Sequence, residues 1–180
     1  MDVKLLVTAS GEFERVVREL PEGAWELPTP CEVDVRELVE HVVVGNRFAA
    51  AALAGVSAAE ACEAALAQEF DLPESAAQQI EAFRRAADDQ VVHHPGGDIS
   101  AEEFLRYRLV DVVVHAWDLL RAAGLDETLD AAVTEGLWAL VEPHLPDMLA
   151  FGSYGDGSSG NVASDTSAQL RLLDAFGRQV

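Results

Sequence analysis

Four polar residues stand in one register inside an apolar stretch: Arg108, Asp111, His115 and Asp118, spaced three, four and three. At 3.6 residues per turn this spacing puts all four on one face of a helix. Around them lie Leu105, Leu109, Val110, Val112, Val113, Val114, Ala116, Leu119 and Leu120. A helix apolar almost all round is a buried helix. An unpaired carboxylate is costly there, so it must be ion-paired, hydrogen-bonded or bound to a metal. The Asp-x-x-x-His spacing lets two side chains converge on one point, as i, i+4 donors do in helix-borne zinc sites. Without a metal, the same residues form a closed polar network in which Asp111 accepts a hydrogen bond from His115 and Arg108 neutralises both.

A third donor comes from upstream. His41 shares a helical face with Leu38, Val42 and Gly45, the face expected to point into a bundle. Taken alone it reads as a core histidine bonded to a carbonyl. Taken with the Asp111–His115 pair, it gives two inward histidines and one carboxylate on two helices of one bundle, which is how bundles build metal sites. Two His and one carboxylate, with positions left to water, is a catalytic rather than a structural metal set.

Several neighbours could support such a site. Asp118, one turn beyond His115, could orient a ligand histidine or pair with Arg121 or Arg47. Asn46 and Arg47 could face the pocket mouth and hold a substrate carboxylate, with an ion pair the alternative for Arg47. Trp117 reads as packing, His93 and His94 as exposed loop histidines, and His144 as a surface residue. Cys31 lies ten residues before His41, about 15 Å of axial rise if all were helical, and reads as a small apolar plug. Cys62 reads as packing.

The elements that must carry these residues are helical, because the apolar spacing is helical almost throughout. Leu5, Leu6, Phe13, Val16, Val17 and Leu20 define a first helix ended by Pro21 and Gly23. The run from Leu27 to Cys31 holds two prolines and reads as a rigid linker. Asp34 with Glu37 opens a second helix, about 35–54, which stops at Gly55. Ser57 with Glu60 caps a short helix to Ala67. A third long helix is expected over about 73–90, with Pro73 in its first turn. Residues 91–99 form a loop or small hairpin turned by Gly96 and Gly97. Ser100 with Glu103 opens the helix of the polar stripe, which runs to Ala123 and is closed by Gly124. A helix over 129–140, a Gly/Ser/Asp-rich mobile loop over 152–167 and a short tail helix over 168–176 complete the chain. The fold class is all-α: a bundle of four main helices plus small additions, read as one domain over 1–180.

Composition narrows the function. Lys plus Arg number 12 and Asp plus Glu 32, a formal charge of −20, while 49% of residues are hydrophobic. Such a chain is too apolar to be a disordered acidic tail and too acidic for sequence-independent binding to nucleic acid or anionic membrane. The two cysteines make no disulfide framework, and reduced thiols fit a cytoplasmic protein. No secretory leader or 18-residue apolar run is seen. Alanine-rich helix faces could pack a homodimer.

Two segments resemble a known family. TPCEVDVRELVEHVVVGNR (29–47) resembles the first motif of the DinB-like metal-binding proteins, in the actinobacterial branch related to the mycothiol-dependent maleylpyruvate isomerase metal-binding domain. RLVDVVVHAWDL (108–119) resembles its second motif, and LRLLDAFGR (170–178) that branch's C-terminal ending. The resemblance implies a DinB-like four-helix bundle with a long crossover between the second and third main helices. It implies a divalent metal held by His41, Asp111 and His115, with zinc the first choice and nickel or iron the alternatives. It further implies a low-molecular-weight thiol such as mycothiol as co-substrate, and a small-molecule electrophile. The isomerase has Glu one turn before its last histidine, where this chain has the shorter Asp111, and it carries a C-terminal domain for which 180 residues leave no room. Both departures point away from maleylpyruvate itself. The functional expectation is a metal-dependent thiol transferase or isomerase, with a non-catalytic metal- or ligand-binding module as the alternative.

Overall fold

The structure, a computed structural model, describes residues 3–151 and 157–180. Eight α-helices appear among them: α1 (Lys4–Glu19), α2 (Val35–Ala52), α3 (Ala58–Leu66), α4 (Leu72–Arg85), α5 (Ala101–Ala123), α6 (Ala131–Val141), α7 (Leu145–Phe151) and α8 (Ala168–Ala175). A hairpin of β1 (Val91–His94) and β2 (Gly97–Ser100), antiparallel with Val91 opposite Ser100, precedes α5. The class is all-α, with this hairpin as its sheet.

The capping residues set the helix starts. Asp34, Ser57 and Ser100 each accept a hydrogen bond from the backbone N–H three residues on, and Glu37, Glu60 and Glu103 reach back to complete capping boxes. Each satisfies donors that a helix start would otherwise leave open. Gly124 closes α5 at φ +65°, a left-handed conformation that costs glycine little. The expected helix over 73–90 stops instead at Arg85. Beyond it, the N–H groups of Ala101 and Glu102 donate to the carbonyls of Gln90 and Asp88, tying this stretch to the start of α5. Helix α7 has no counterpart in the sequence reading. Of the expected loop over 152–167, residues 152–156 lie outside the described residues, and 157–167 contain no helix or strand.

Four helices close a square: α1 packs on α5, α5 on α2, α2 on α4 and α4 on α1. Helices α1 and α2 are therefore diagonal, and α3 lies on α2 within the crossover to α4. The core runs from Leu6, Phe13 and Val16 of α1 through Leu38 and Val42 of α2 and Phe83 of α4 to Leu109, Val113, Trp117 and Leu120 of α5. Each fully buried large side chain contributes roughly 1.5–3 kcal/mol relative to exposure. Helices α6 and α8 pack against one another, and α6 also rests on α1 and α5. As a result the C-terminal segment returns to the second half of α5, where the polar stripe ends.

Candidate metal centre

The stripe on α5 and His41 of α2 meet, although His41 is exposed at the edge of the bundle rather than pointing into its core as the sequence suggested. Nε2 of His41 lies 3.1 Å from Oδ1 of Asp111, and Nε2 of His115 lies 3.2 Å from the same oxygen. The two imidazoles stand edge to face, centroids 5.2 Å apart. One donor atom from each of the three residues falls within 4.8 Å of the others. The other Asp111 oxygen accepts from Nη1 of Arg108 at 2.7 Å.

Arg108 is held by a network that sequence reasoning did not foresee. Its Nε donates to Oε1 of Gln79 on α4 at 2.7 Å, and its Nη2 donates to Oδ1 of Asn46 at 2.9 Å. Asn46 in turn donates to the Ser75 hydroxyl. Asn46 is therefore buried behind the site rather than at a pocket mouth. Its partner on α4, Ser75, lies 29 residues away, out of reach of local periodicity. Gly45 makes room for the guanidinium: a Cβ there would stand 2.4 Å from Nη1 of Arg108. Arg47 is not at a mouth either. It is buried and donates to the carbonyls of Gln68 and Glu69, pinning the end of the α3 segment.

On the far side of His115 a second group forms. Nδ1 lies 2.9 Å from Oδ2 of Asp118, which is fully buried. Arg178 clamps Asp118 with two hydrogen bonds, Nε to Oδ1 at 2.8 Å and Nη2 to Oδ2 at 2.7 Å. Neither Arg121 nor Arg47 pairs with Asp118. Arg121 stacks over Trp117 and bonds Glu127. The Cys31 sulfur donates to Oδ2 of Asp118 at 3.1 Å and accepts from Arg178 at 3.2 Å.

Cys31 thus belongs to the site, against the sequence expectation. The distance argument measured it against His41 along one helix, whereas its partners are on α5. The linker is not extended: Thr29 bonds Val33 through both its backbone N–H and its hydroxyl, Pro28 bridges to Asp34, and Glu32 turns at φ +65°. This reversal delivers residue 31 to α5. Cys62, expected to pack, is exposed. Trp117 is buried, as packing requires. His93 bonds Asp98 on the exposed hairpin, whereas His94 is half-buried against Phe48 and Phe104. Neither joins a group of three donors among the described residues.

The charges follow from these contacts. Burial opposes ionisation of Asp111, but Arg108, His115 and His41 outweigh it and hold the carboxyl well below its usual range. Burial also opposes protonation of His115. Asp111, Asp118 and Cys31 together overcome that and hold the metal-free imidazole well above its ordinary value. Burial likewise works against the Asp118 anion, and the Arg178 and His115 hydrogen bonds reverse the balance and lower it.

The donor set suits a divalent ion on geometric grounds. Two donors each about 2.1 Å from one ion and 90–109° apart lie about 3.0–3.4 Å from one another, a range that includes both histidine–carboxylate separations here. Proton accounting leaves two options. An ionised Asp118 cannot donate, so the bond to Nδ1 places a proton on that nitrogen. The lone pair of Nε2 then faces an Asp111 carboxylate oxygen, and either a second proton or a cation must lie between them. The other donor triad, Cys31, His115 and Asp118, is a poor cation site, because the Arg178 guanidinium already occupies both Asp118 oxygens and contacts the sulfur.

Two clefts open onto the centre. One of about 980 Å³ is lined by Cys31, Glu37, His41, Trp117 and Arg178 among others. The second, about 610 Å³, lies between α2, α3, the hairpin and α5. His41 and Asp111 line both.

Residues 6–120 match the family described as the mycothiol maleylpyruvate isomerase N-terminal domain. Two uncharacterized proteins of Mycobacterium tuberculosis, from strains CDC 1551 and H37Rv, are each 34% identical over 115 residues. The alignment covers 57% of this chain and 57% of each relative, so the chain spans little more than half the length of the curated relatives it matches. No helix among the described residues is long and apolar enough to cross a membrane.

Proposed function

Because this chain belongs to the mycothiol maleylpyruvate isomerase N-terminal domain family, we propose that it holds a divalent cation, zinc first, through His41, Asp111 and His115, and uses it in thiol chemistry on a small electrophile. The observation that carries this reading is the placement of His115, with Nδ1 committed to Asp118 and Nε2 turned to the oxygen that His41 also faces. When bound, such an ion would supply acidification of a coordinated thiol, so that a mycothiol-type co-substrate could react as its thiolate. The thiolate sulfur then bonds to an electrophilic carbon. In transfer, a leaving group departs with the bonding pair. In isomerisation, the thiolate would add to one carbon of a conjugated double bond, the π pair passing to the electron-withdrawing group, and after rotation about the resulting single bond the returning pair would expel it.

The chain's own residues prepare this. Asp118 fixes the tautomer and tilt of His115, and Arg178 keeps Asp118 ionised. Arg108, immobilised by Gln79 and Asn46, orients Asp111 through the oxygen that the histidines do not share. Cys31 is a weaker candidate for the reacting sulfur, because its contacts lie on the Nδ1 side of His115, away from His41 and Asp111.

A metal-free polar network is the second reading, and the 2.7 Å Arg108–Asp111 ion pair favours it, since that carboxylate already has one cationic partner. Elemental analysis of untagged protein separates the two. About one equivalent of metal in the wild type, lost in His41→Ala, supports the centre. Metal content that His41→Ala leaves unchanged would sink the assignment. Catalysis is tested by incubating loaded protein with mycothiol and an electrophile panel. Conjugates above background support the transferase or isomerase, whereas none across the panel leaves a non-catalytic binding module.

A further inference from the structure

The second cleft differs in chemistry from the first. Its walls are Phe48 of α2, Cys62 and Leu66 of α3, and Phe104 and Tyr107 of α5, and it reaches His41 and Asp111. Phe48 and Phe104 meet edge to face at 5.9 Å, and His94 meets both rings at the same spacing. Leu66, 71% exposed, stands at the opening. Isolated exposed leucines are ordinary, but one at the lip of an aromatic-walled cavity extends an apolar surface.

Charge is nearly absent from these walls. Nδ1 of His94 accepts from the backbone N–H of Gly96, so the neutral ring carries its proton on Nε2. Burial, aided by the nearby Arg108, keeps that ring neutral by lowering its pKa. The cation in the lining, Arg108, is 7% exposed and already donates to Gln79, Asn46 and Asp111. Along these walls an anionic ligand would find no uncommitted counter-charge, and in the metal-free cleft it would meet the Asp111 carboxylate. A carboxylated electrophile is therefore a poor match, while a neutral aromatic or similarly broad apolar group matches the rings in size and polarity.

We propose that this cleft is the acceptor subsite and takes a neutral, apolar electrophile of aromatic size, with its reactive carbon at the His41–Asp111 end. The substrate assignment rests on the thiol-transfer reading above, whereas the cleft's ligand preference stands on the cavity alone.

The test uses a matched pair of fluorescent probes, neutral N-phenyl-1-naphthylamine and its anionic relative 8-anilinonaphthalene-1-sulfonate, titrated into the full chain both EDTA-treated and zinc-loaded. The expected result is saturable 1:1 binding of the neutral probe in both states, with the sulfonate about tenfold or more weaker in the EDTA-treated protein. Leu66→Asp, an exposed change that the fold tolerates, should weaken the neutral probe by about tenfold. The neutral probe should also slow alkylation of Cys62 by iodoacetamide. The proposal is overturned if the neutral probe does not saturate, if the sulfonate binds the EDTA-treated protein equally well, or if neither Leu66→Asp nor Cys62 protection registers the probe while circular dichroism shows an intact fold. A protein that fails to retain zinc yet binds the neutral probe as expected would refute the metal reading and leave the cleft assignment standing.

Discussion

The two nitrogens of His115 face two groups built from similar parts. Each side has an aspartate, an arginine and a third donor. On the Nδ1 side Arg178 takes both oxygens of a fully buried Asp118, and the cysteine fills the remaining space. On the Nε2 side Arg108 takes one oxygen of Asp111 and leaves the other to two imidazoles, beside two clefts. A carboxylate gripped at both oxygens by a guanidinium is structural support, whereas one gripped at a single oxygen keeps a coordinating atom available. The number of oxygens committed to arginine separates these two sides, not the residue types.

This contrast can be broken most severely at Asp111. Asp111→Ala should lower zinc affinity by more than about 100-fold, since losing a group that only supports a ligand already costs 10–100-fold. Competition with a chromophoric chelator measures it, and retention of tight binding would move the metal elsewhere. Next comes Arg178→Ala. It leaves the Asp118 carboxylate buried without its main partner and should cost about 3–5 kcal/mol in urea unfolding. Zinc affinity should fall by about 10–100-fold as His115 loses its orientation. A change confined to metal affinity, with stability intact, would contradict the supporting role given to that side.

Gly45→Ala acts more gently. Its Cβ pushes the guanidinium off Asp111, a strain of about 1–3 kcal/mol visible in the thermal midpoint, with a smaller loss of zinc affinity. Proton linkage gives the two sides opposite signs. Metal-free, His115 has a folded pKa raised above its unfolded value, so its stabilisation is full below about pH 6.5 and is lost as pH rises through the folded pKa. Asp118, lowered in the fold, contributes above its unfolded pKa near 3.9, and that contribution is lost as pH falls through the folded value. Zinc must displace the His115 proton, so zinc-induced stabilisation should grow with pH over the same window in which the metal-free protein weakens. Parallel melts with and without zinc would show the divergence, and parallel pH profiles would argue that no proton is exchanged. The smallest effect belongs to Cys31→Ser, expected to change stability by under about 1 kcal/mol and metal content not at all. Loss of zinc in that variant would place the ion on the Nδ1 side.

The α5 stripe was legible because its logic is local: helical periodicity brings Arg108, Asp111, His115 and Asp118 to one face, and apolar neighbours declare the burial. The capping boxes were legible for the same reason, as was the hairpin turned by its glycines. His41 was tied to the stripe only by pairing it with Asp111 and His115, and the inward orientation expected of it is not what the fold provides, since its side chain is 57% exposed. What stayed hidden depends on chain path. Cys31 reaches Asp118 across 87 residues through a loop whose reversal hangs on the backbone of Glu32 and the Thr29–Val33 bonds. Gln79 reaches Arg108 across 29 residues because their long side chains meet across the core from the diagonal helices α4 and α5. Asn46 and Arg47 sit next to each other in sequence yet serve different ends, one anchoring Arg108 and the other pinning the α3 segment, a division that periodicity cannot announce. Arg178 was flagged only as the end of a segment resembling the family's C-terminal ending, and nothing local tied it to Asp118, for which the sequence offered several other arginines.

The reach of Arg178 also has a clock attached. It is synthesised 60 residues after Asp118, and at 5–20 residues per second that is a lag of about 3–12 s. During that lag the nascent helix carries its aspartate with no guanidinium to answer it, and His115 has no fixed tautomer. The order of synthesis therefore makes completion of this centre a late event, after the bundle that surrounds it has been translated.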